Sequence, residues 1–246
     1  MFPDGKRIAD EAVYLDKNRS SLEPKEAFKL LGNLIRKAQH TKSASLLDVG
    51  CATGELLLYF KNNLPGFNYF EGIDVLNTLI NQARKQVPDV EFRIGSALDT
   101  KYFLQRRFDV VVCCGTVQIF DDLRLPLENF LSCARKNASI LICSPFNEEP
   151  IDVITRYRRS ESAASDWELG WNIFSCKTVD YILEQSGYNL SWSWHPFDMP
   201  FAIPKRNDPM RTWTIKTEEK PFQTINGASQ LINMKVVHIR VNGLPE

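Results

Sequence analysis

The chain has few histidines, no net charge and no long apolar run. Its 246 residues include three histidines, and 30 Lys and Arg residues balance 30 Asp and Glu residues. A balanced charge gives no sign of a surface that neutralises phosphates, so no nucleic-acid partner is expected. No apolar run approaches membrane-spanning length, and the first ten residues carry charges without the apolar core of a secretory signal peptide. A membrane partner is therefore not expected either.

The six cysteines lack the spacing of metal and redox motifs. None lies in a C-x-x-C pair, and no His, Cys and Asp residues recur at the spacing of metal ligands, so no metal site is expected. Several of the cysteines lie within apolar runs, which is typical of small buried side chains in a reducing compartment. The sequence therefore predicts buried thiols and a cytoplasmic location.

A turn of small residues follows an apolar run at positions 46–54. The run ends at Val49, the turn contains Gly50 and Gly54, and an amphipathic helical pattern follows. Glycines in such a turn let a ligand lie against bare backbone. Asp74 ends a second short apolar run about 20 residues later, where a carboxylate can accept both hydroxyls of a ribose. The pattern predicts a nucleoside site in a doubly wound sheet.

The turn does not match a dinucleotide site. Counting from Gly50, Ala52 and Glu55 occupy the places of the second and third glycines of G-x-G-x-x-G. Glu55 also places a negative charge at the helix end that would receive a pyrophosphate. Asp48, on the preceding strand, suits a ligand with an amino group and no phosphate. These residues argue against NAD.

The pattern Asp-x-Gly-x-x-x-Gly resembles the first motif of class I S-adenosylmethionine (SAM) dependent methyltransferases. The resemblance covers residues 46–143 in the order expected for that family. It implies SAM as cofactor, S-adenosylhomocysteine as product, and a set of cofactor-binding residues that follow four strands. These residues are Asp48, Gly50, Cys51, Ala52 and Gly54 at the methionine end, Asp74 and Val75 at the ribose, Ser96 and Ala97 at the adenine, and Cys114 and Gly115 facing the sulfonium and the acceptor. Ala52 replaces the usual middle glycine, and the turn should tolerate its methyl group if its φ is negative.

The periodicity of apolar residues alternates between helix and strand along the chain. Helical patterns begin near Pro24, after Asp74, near Pro126 and near Val179. Alternation of this kind predicts an α/β fold with a mainly parallel sheet and helices on both faces. The resemblance implies seven strands, the last of them antiparallel. We predict a single methyltransferase domain over 1–246, with an N-terminal arm and helix (1–44), a SAM-binding half (45–143), a substrate-side half with a cap insertion (144–233) and a terminal strand (234–242).

The substrate-side half is rich in aromatic and basic residues. Its acceptor-binding candidates are Tyr157, Arg158, Trp171, Asn172 and His195. The aromatic residues form either a lid that excludes water or the packing of an inserted subdomain. The arginines bind an anion or form a solvated charge run. We predict a mobile, partly helical lid over residues 145–175.

The N-terminal segment 1–23 allows two interpretations. It contains Tyr14 and Arg19, and it either forms an arm that closes over the cofactor or is a frayed terminus.

Methyl transfer from a sulfonium requires mainly alignment and a dry site, so the catalytic residues are left unassigned. A hydroxyl acceptor benefits from a base, whereas an amine needs only to arrive neutral. Of the three histidines, His40 is expected at the surface and His238 in the packing of the terminal strand. His195 is the remaining candidate base because it would end a strand on the acceptor side.

The predicted function is transfer of a methyl group from SAM to an oxygen or nitrogen of a small or sugar-like acceptor. The alternative is a catalytically silent SAM-binding or regulatory protein. The Asn/Asp-Pro-Pro-aromatic motif of enzymes that methylate nucleic-acid amino groups is absent after Cys114, and no Pro-Cys dipeptide offers the nucleophile of a C5-pyrimidine enzyme.

Overall fold

The computed structural model describes residues 9–15, 24–40, 43–160, 166–208 and 210–245. The apolar periodicity predicts five of the helices in these residues, but not the short helices over Ala9–Leu15 and Thr100–Leu104. The α-helices of the described residues are α1 (Ala9–Leu15), α2 (Glu26–Lys37), α3 (Glu55–Asn63), α4 (Asn77–Gln86), α5 (Thr100–Leu104), α6 (Arg124–Ser132) and α7 (Cys176–Glu184).

The strands alternate with these helices in the first half of the chain and follow one another in the second. They are β1 (Ala44–Val49), β2 (Phe67–Asp74), β3 (Glu91–Ile94), β4 (Phe108–Cys114), β5 (Ala134–Asn147), β6 (Arg156–Tyr157), β7 (Glu168–Leu169), β8 (Phe174–Ser175), β9 (Asn189–Phe197), β10 (Trp213–Ile215), β11 (Gln223–Ile225), β12 (Leu231–Ile232) and β13 (Met234–Gly243).

The central sheet has the strand order β3-β2-β1-β4-β5-β13-β9, and the short β8 adds to the end of β5. The first five strands of this path pair in parallel. β13 is antiparallel to both β5 and β9, so the terminal strand is inserted between them. The predicted α/β fold with a mainly parallel seven-strand path and an antiparallel last strand is confirmed.

Helices cover both faces of the sheet. Successive strand residues point to opposite faces, so Leu46 belongs to the core beneath α2 and α3, while Leu47 belongs to the core beneath α6 and α7. All six residues of β1 are buried, as expected for a strand that is covered on both sides. The strands can therefore present polar groups to solvent mainly at their ends.

The substrate-side half adds two small sheets to this framework. β6 pairs with β7, and β10, β11 and β12 form a three-stranded antiparallel sheet. The described residues between 145 and 175 contain strands and loops and no helix. In these residues the prediction of a partly helical lid is therefore wrong about the secondary structure, because the 151–160 and 166–175 segments pair with each other and with β5.

The cysteines have the burial that their apolar context predicts. Four of them are buried, while Cys114 and Cys176 are half-buried, and all six are free thiols. Within the described part of the chain, no helix is long and apolar enough to cross a membrane.

Candidate active site

The polar ends of β1, β2 and β4 meet at one edge of the sheet. In the sheet, β2 and β3 lie on one side of β1, and β4 and β5 lie on the other, so the strand order reverses between β1 and β4. In an open α/β sheet, the crevice at this reversal of strand order is where ligands bind. The residues at these strand ends are therefore the first candidates for a binding site.

The turn after β1 is fastened to β2 through its backbone. The N–H groups of Gly50 and Cys51 both donate to the carbonyl of Ile73, at 2.8 and 3.0 Å. Gly50 has a φ of +79°, and a Cβ at this position would lie 1.9 Å from Oγ1 of Thr116. Only glycine fits here, because both the backbone conformation and the approach of the β4 loop exclude a side chain.

Ala52 adopts a left-handed conformation in the same turn. Its φ is +47°, so the condition of a negative φ, under which the turn was expected to tolerate the methyl group, is not met. Oδ2 of Asp74 accepts the Ala52 N–H at 3.0 Å, and Oδ1 accepts the Leu76 N–H at 2.9 Å. The carboxylate thus ties the turn to the start of α4, and this tie offsets part of the strain at Ala52.

Gly54 has a structural reason to be glycine. It precedes α3 with a φ of +82°, and a Cβ there would lie 2.8 Å from the ring of Phe92. Gly54 lines neither of the pockets described below. It permits close packing of the helix start on the sheet, and it is the one predicted cofactor residue that the structure keeps out of the cleft.

Two adjoining pockets form a cleft at this edge, with volumes of about 650 and 640 Å³. Both volumes include the open solvent at the mouth of each pocket. Both pockets are lined by Tyr14, Gly50 and Ala52. The first pocket also contains the predicted residues Asp74, Val75, Ser96, Ala97 and Gly115. The second contains the predicted residues Asp48, Cys51 and Cys114.

The cleft also contains residues that the sequence pattern did not indicate. They are Val49, Leu76, Leu79, Gly95, Thr116, Ile119 and Phe120 in the first pocket, and Lys25, Ala27, Phe28, Thr53, Glu55 and Leu56 in the second. Most directly adjoin predicted residues in sequence, whereas Lys25 and Phe28 reach the cleft from α2 and its start. Tyr14 of α1 lies at both pockets, which favours the interpretation of the N-terminal segment as an arm over the site.

Asp48 has an unusual electrostatic environment. It is buried in the second pocket, and burial, together with the nearby Asp74, raises the pKa of its carboxyl to about 8. The ammonium of Lys25 opposes this rise, but Lys25 is paired with Glu55 at 2.7 Å at the exposed rim. Asp48 therefore holds its proton near neutral pH, and a cation entering the pocket would favour its ionised form.

Asn172 does not face the cleft, contrary to its prediction as an acceptor residue. It is fully buried, and Nδ2 donates to the Phe120 carbonyl at 2.6 Å. Oδ1 accepts the Thr155 N–H at 2.8 Å, and the Asn172 N–H donates to the Gln118 carbonyl at 2.7 Å. Asn172 is a link between the cap and the loop after β4, and it thereby supports the Phe120 wall of the first pocket.

The other cap candidates lie outside the described lining of the two pockets. The Tyr157 hydroxyl donates to Glu168 at 2.9 Å across the β6–β7 pair. The guanidinium of Arg158 lies over the exposed ring of Trp167, 5.4 Å from its centroid. The carbonyl of Trp171 accepts a hydrogen bond from Gln230 at 3.2 Å. These contacts hold the cap together, and an acceptor role for the three residues stays a prediction.

His195 lies on β9, at the far edge of the sheet. It is paired in register with Val236 of β13, and it shares a 3.0 Å hydrogen bond with Ser193. It lines neither pocket, because β5 and β13 separate β9 from β4. Three strand spacings correspond to roughly 14 Å, so the geometry does not support His195 as a base at the cleft.

The other two histidines are also packed. The ring of His40 lies against Phe67 with a 5.8 Å centroid separation, and its burial lowers its pKa to about 4. His40 is half-buried, so it is only partly at the surface as expected, whereas the expected packing of His238 agrees with its 2.9 Å hydrogen bond to Ser139. No group of His, Cys, Asp and Glu side chains in the described residues is arranged to hold a metal ion.

Comparison with known proteins identifies the family. A sequence model described as a methyltransferase domain matches residues 22–191, well over half of the chain. The chain belongs to this family. It is a SAM-dependent methyltransferase with a Rossmann-like fold.

Two curated relatives and one solved structure indicate its wider similarity. The malonyl-[acyl-carrier protein] O-methyltransferase of Bacillus anthracis is 24% identical over 73% of this chain and 67% of that protein. The dTDP-3-amino-3,6-dideoxy-alpha-D-glucopyranose N,N-dimethyltransferase of Streptomyces fradiae is 34% identical over 83 residues, which are 34% of this chain and 30% of that protein. The crystal structure of an S-adenosylmethionine-dependent methyltransferase from Clostridium acetobutylicum aligns over 94% of this chain and 97% of that one, with 10% identity and a TM-score of 0.58. The last of these supports the fold alone.

Proposed function

We propose that this methyltransferase moves a methyl group from SAM, bound in the cleft at the ends of β1, β2 and β4, to an oxygen or nitrogen of a small or sugar-like acceptor. The observation that carries the proposal is the cleft itself. Tyr14, Gly50 and Ala52 line both of its pockets, so one extended ligand can occupy the two together.

The residues of the cleft fit the chemical groups of SAM. Asp74 and Val75 would hold the ribose, and Ser96 and Ala97 would contact the adenine. The absence of a Cβ at Gly50 lets Thr116 lie against the turn, and this turn would present its backbone to the methionine end of SAM in both pockets. Asp48 would bind the amino group, because a buried carboxyl with a raised pKa gains a favourable partner when a cation enters. Gly54 would act indirectly by allowing α3 to begin at this point.

In methyl transfer, the side chains of this protein would position the two reactants and exclude water, rather than act as an acid or a base. When it is bound, SAM supplies a methyl group on a positively charged sulfur. Cys114 is the last residue of β4, and Gly115 follows it at the cleft. No atom lies within 4 Å of the place where a Cβ on Gly115 would be, so this side of the turn is open. Phe120 and Ile119 line the side of the first pocket that adjoins the cap. A dry site that holds the methyl group in line with the acceptor can supply most of the acceleration.

The acceptor is proposed from the relatives and from the cap. One relative methylates an oxygen and the other a sugar nitrogen, according to their names. We propose that 45–143 forms the SAM-binding half of a single domain. The acceptor would then lie between the cleft and 144–233, with 1–44 as arm and helix and 234–242 as the strand that ties the halves together.

Calorimetry with SAM, S-adenosylhomocysteine and NAD tests the cofactor site. We expect both sulfur nucleosides to bind and NAD to give no heat. Asp74→Ala should weaken SAM binding by about 1–3 kcal/mol, since it removes charge-assisted hydrogen bonds. The control is Asp89→Ala, which removes an exposed carboxylate that pairs with Lys61 in the loop between α4 and β3. Absence of binding to SAM, or tight binding of NAD, would overturn the proposal.

Formation of S-adenosylhomocysteine tests the acceptor class. The purified protein would be incubated with SAM and two acceptor pools, nucleotide-linked amino sugars and carboxylates carried as acyl thioesters. Turnover with a pool identifies the atom that is methylated. Binding of SAM without turnover in a wide acceptor panel would instead favour the catalytically silent alternative.

A further inference from the structure

Two cysteines lie side by side on neighbouring strands at the edge of the sheet where the cleft opens, and one of them, Cys114, lines the second pocket. Cys114 of β4 and Cys143 of β5 are paired in register. Neighbouring strands are about 4.8 Å apart and paired residues point to the same face. Cys143 belongs to the buried core on this face of the sheet, and the Cys114 side chain packs against the same core. The spacing of the two residues is within the Cα separation of about 4.4–6.8 Å that a disulfide needs.

The two thiols differ in their access to solvent. Cys114 is half-buried and lines the second pocket beside Asp48 and Gly50. Cys143 is fully buried, so its thiol is shielded from an oxidant in the solvent. This combination of an accessible thiol and a buried partner in contact with it is the arrangement in which an oxidised cysteine is resolved to a disulfide.

We propose that Cys114 and Cys143 are a peroxide-sensitive thiol pair whose disulfide weakens cofactor binding. The effect on binding rests on the proposed cofactor site, whereas formation of the disulfide does not. The Cys114 thiolate attacks hydrogen peroxide, the O–O bond breaks, and sulfenic acid forms with release of hydroxide, which takes up a proton to become water. The Cys143 sulfur then attacks the sulfenic sulfur, and a second water leaves with the Cys143 proton. Two thiols are oxidised by two electrons and one peroxide is reduced.

The disulfide would change the cleft through the end of β4. The Gly115 N–H already donates to the Cys143 carbonyl at 2.8 Å. At Gly115, which has a φ of +78°, the chain turns out of β4. Drawing the Cys114 sulfur toward β5 shifts this turn, which lines the first pocket, and removes the thiol from the second. A cofactor in the cleft would cover Cys114, so bound cofactor should slow the oxidation.

To test the proposal, the reduced protein is treated with hydrogen peroxide, with and without S-adenosylhomocysteine. The products are then mapped by peptide mass spectrometry. We expect one intramolecular disulfide between Cys114 and Cys143, a loss of two hydrogen atoms, and reversal by dithiothreitol. S-adenosylhomocysteine should slow its formation several-fold. Cys143→Ser should instead accumulate higher oxides on Cys114. Cys176→Ser, which changes the other half-buried thiol on α7, is the matched control and should form the same disulfide.

Calorimetry of the oxidised and the reduced protein measures how the disulfide changes the affinity for SAM. We expect the oxidised protein to bind SAM about tenfold or more weakly, with affinity restored by reduction. Absence of the disulfide, or a disulfide that leaves SAM affinity unchanged, would overturn the proposal. If the reduced protein itself does not bind SAM, the proposed function fails, and the disulfide between the two cysteines can still be measured in the mass spectrum.

Discussion

Ala52 is a residue whose local conformation conflicts with its type. A non-glycine residue at a φ of +47° carries a cost of about 1–2 kcal/mol. Glycine removes this cost but adds about 0.4–1 kcal/mol of unfolded-state entropy. We expect Ala52→Gly to raise the free energy of unfolding by about 0.5–1 kcal/mol, as measured by urea denaturation.

The control for this prediction is Ala138→Gly. Ala138 is buried in β5 and is not among the residues with positive φ. The same change of side chain should therefore lower the free energy of unfolding. A loss of stability in both variants would mean that Ala52 is not strained in solution.

Asp48 gives the stability a specific pH dependence. Its pKa is raised from 3.8 in the unfolded chain to about 8 in the folded protein, so the folded state holds a proton that the unfolded state releases. The contribution of Asp48 to stability is complete below about pH 4 and is lost as the pH rises toward 8. Asp48→Asn cannot ionise, so the free energy of unfolding of this variant, relative to that of the parent protein, should increase between pH 5 and pH 8.

Denaturation at several pH values measures this difference, with the exposed Glu128→Gln as control. An advantage of Asp48→Asn that does not change with pH would contradict the raised pKa. The same change should weaken SAM binding, because the amide cannot carry the charge that we propose for the amino group. Greater stability with weaker binding would separate the two roles of Asp48.

The cap and the loop after β4 are held together at Asn172. Its side chain satisfies the Phe120 carbonyl and the Thr155 N–H in a fully buried place. Asn172→Ala leaves both groups without these partners, and each such loss costs about 1–3 kcal/mol. We expect the free energy of unfolding to fall by about 2–4 kcal/mol in urea denaturation.

Asn147→Ala is the matched control for this element. Asn147 also uses its side chain in two backbone hydrogen bonds, with Ile151 and Glu149, but both are exposed. Water can replace these bonds, so the control should lose less than 1 kcal/mol. Equal losses of unfolding free energy in the two variants would show that the burial of the Asn172 hydrogen bonds does not add to their effect on stability.

The substrate-side half as a whole is predicted to close over the bound ligands. Several large apolar side chains of this half are exposed, including Ile151, Ile154, Trp167 and Phe201. A closing cap would cover such groups and exclude water. We expect hydrogen exchange in 151–160 and 166–175 to slow when SAM and an acceptor that supports turnover bind together.

The internal control for hydrogen exchange is α7, which packs against β8 and α6 outside the cleft and should not change. Slower exchange throughout the protein would indicate general stabilisation by ligand rather than closure. Unchanged exchange in the cap, with a verified acceptor present, would contradict the lid.

The amino-acid sequence by itself determined the principal helices around the sheet and the main strand-end residues that line the cleft. The period of apolar residues indicated α2, α4, α6 and α7 because amphipathic packing acts over a few turns of chain. Asp48, Gly50 and Asp74 were predictable because a parallel strand must end in a turn that exposes its backbone at one edge. These features depend on short-range spacing, which a linear sequence contains directly.

Only the tertiary structure decided where distant segments meet. The insertion of β13 between β5 and β9 takes His195 away from the cleft, although His195 does lie near the end of a strand, as the local pattern predicted. The burial of Asn172 and the pairing of Cys114 with Cys143 depend on contacts across 52 and 29 positions of the chain. The positive φ of Ala52 arises because Asp74 and Ile73 hold the turn from another strand. Such contacts are settled by the order of strands in the sheet, which no local pattern contains.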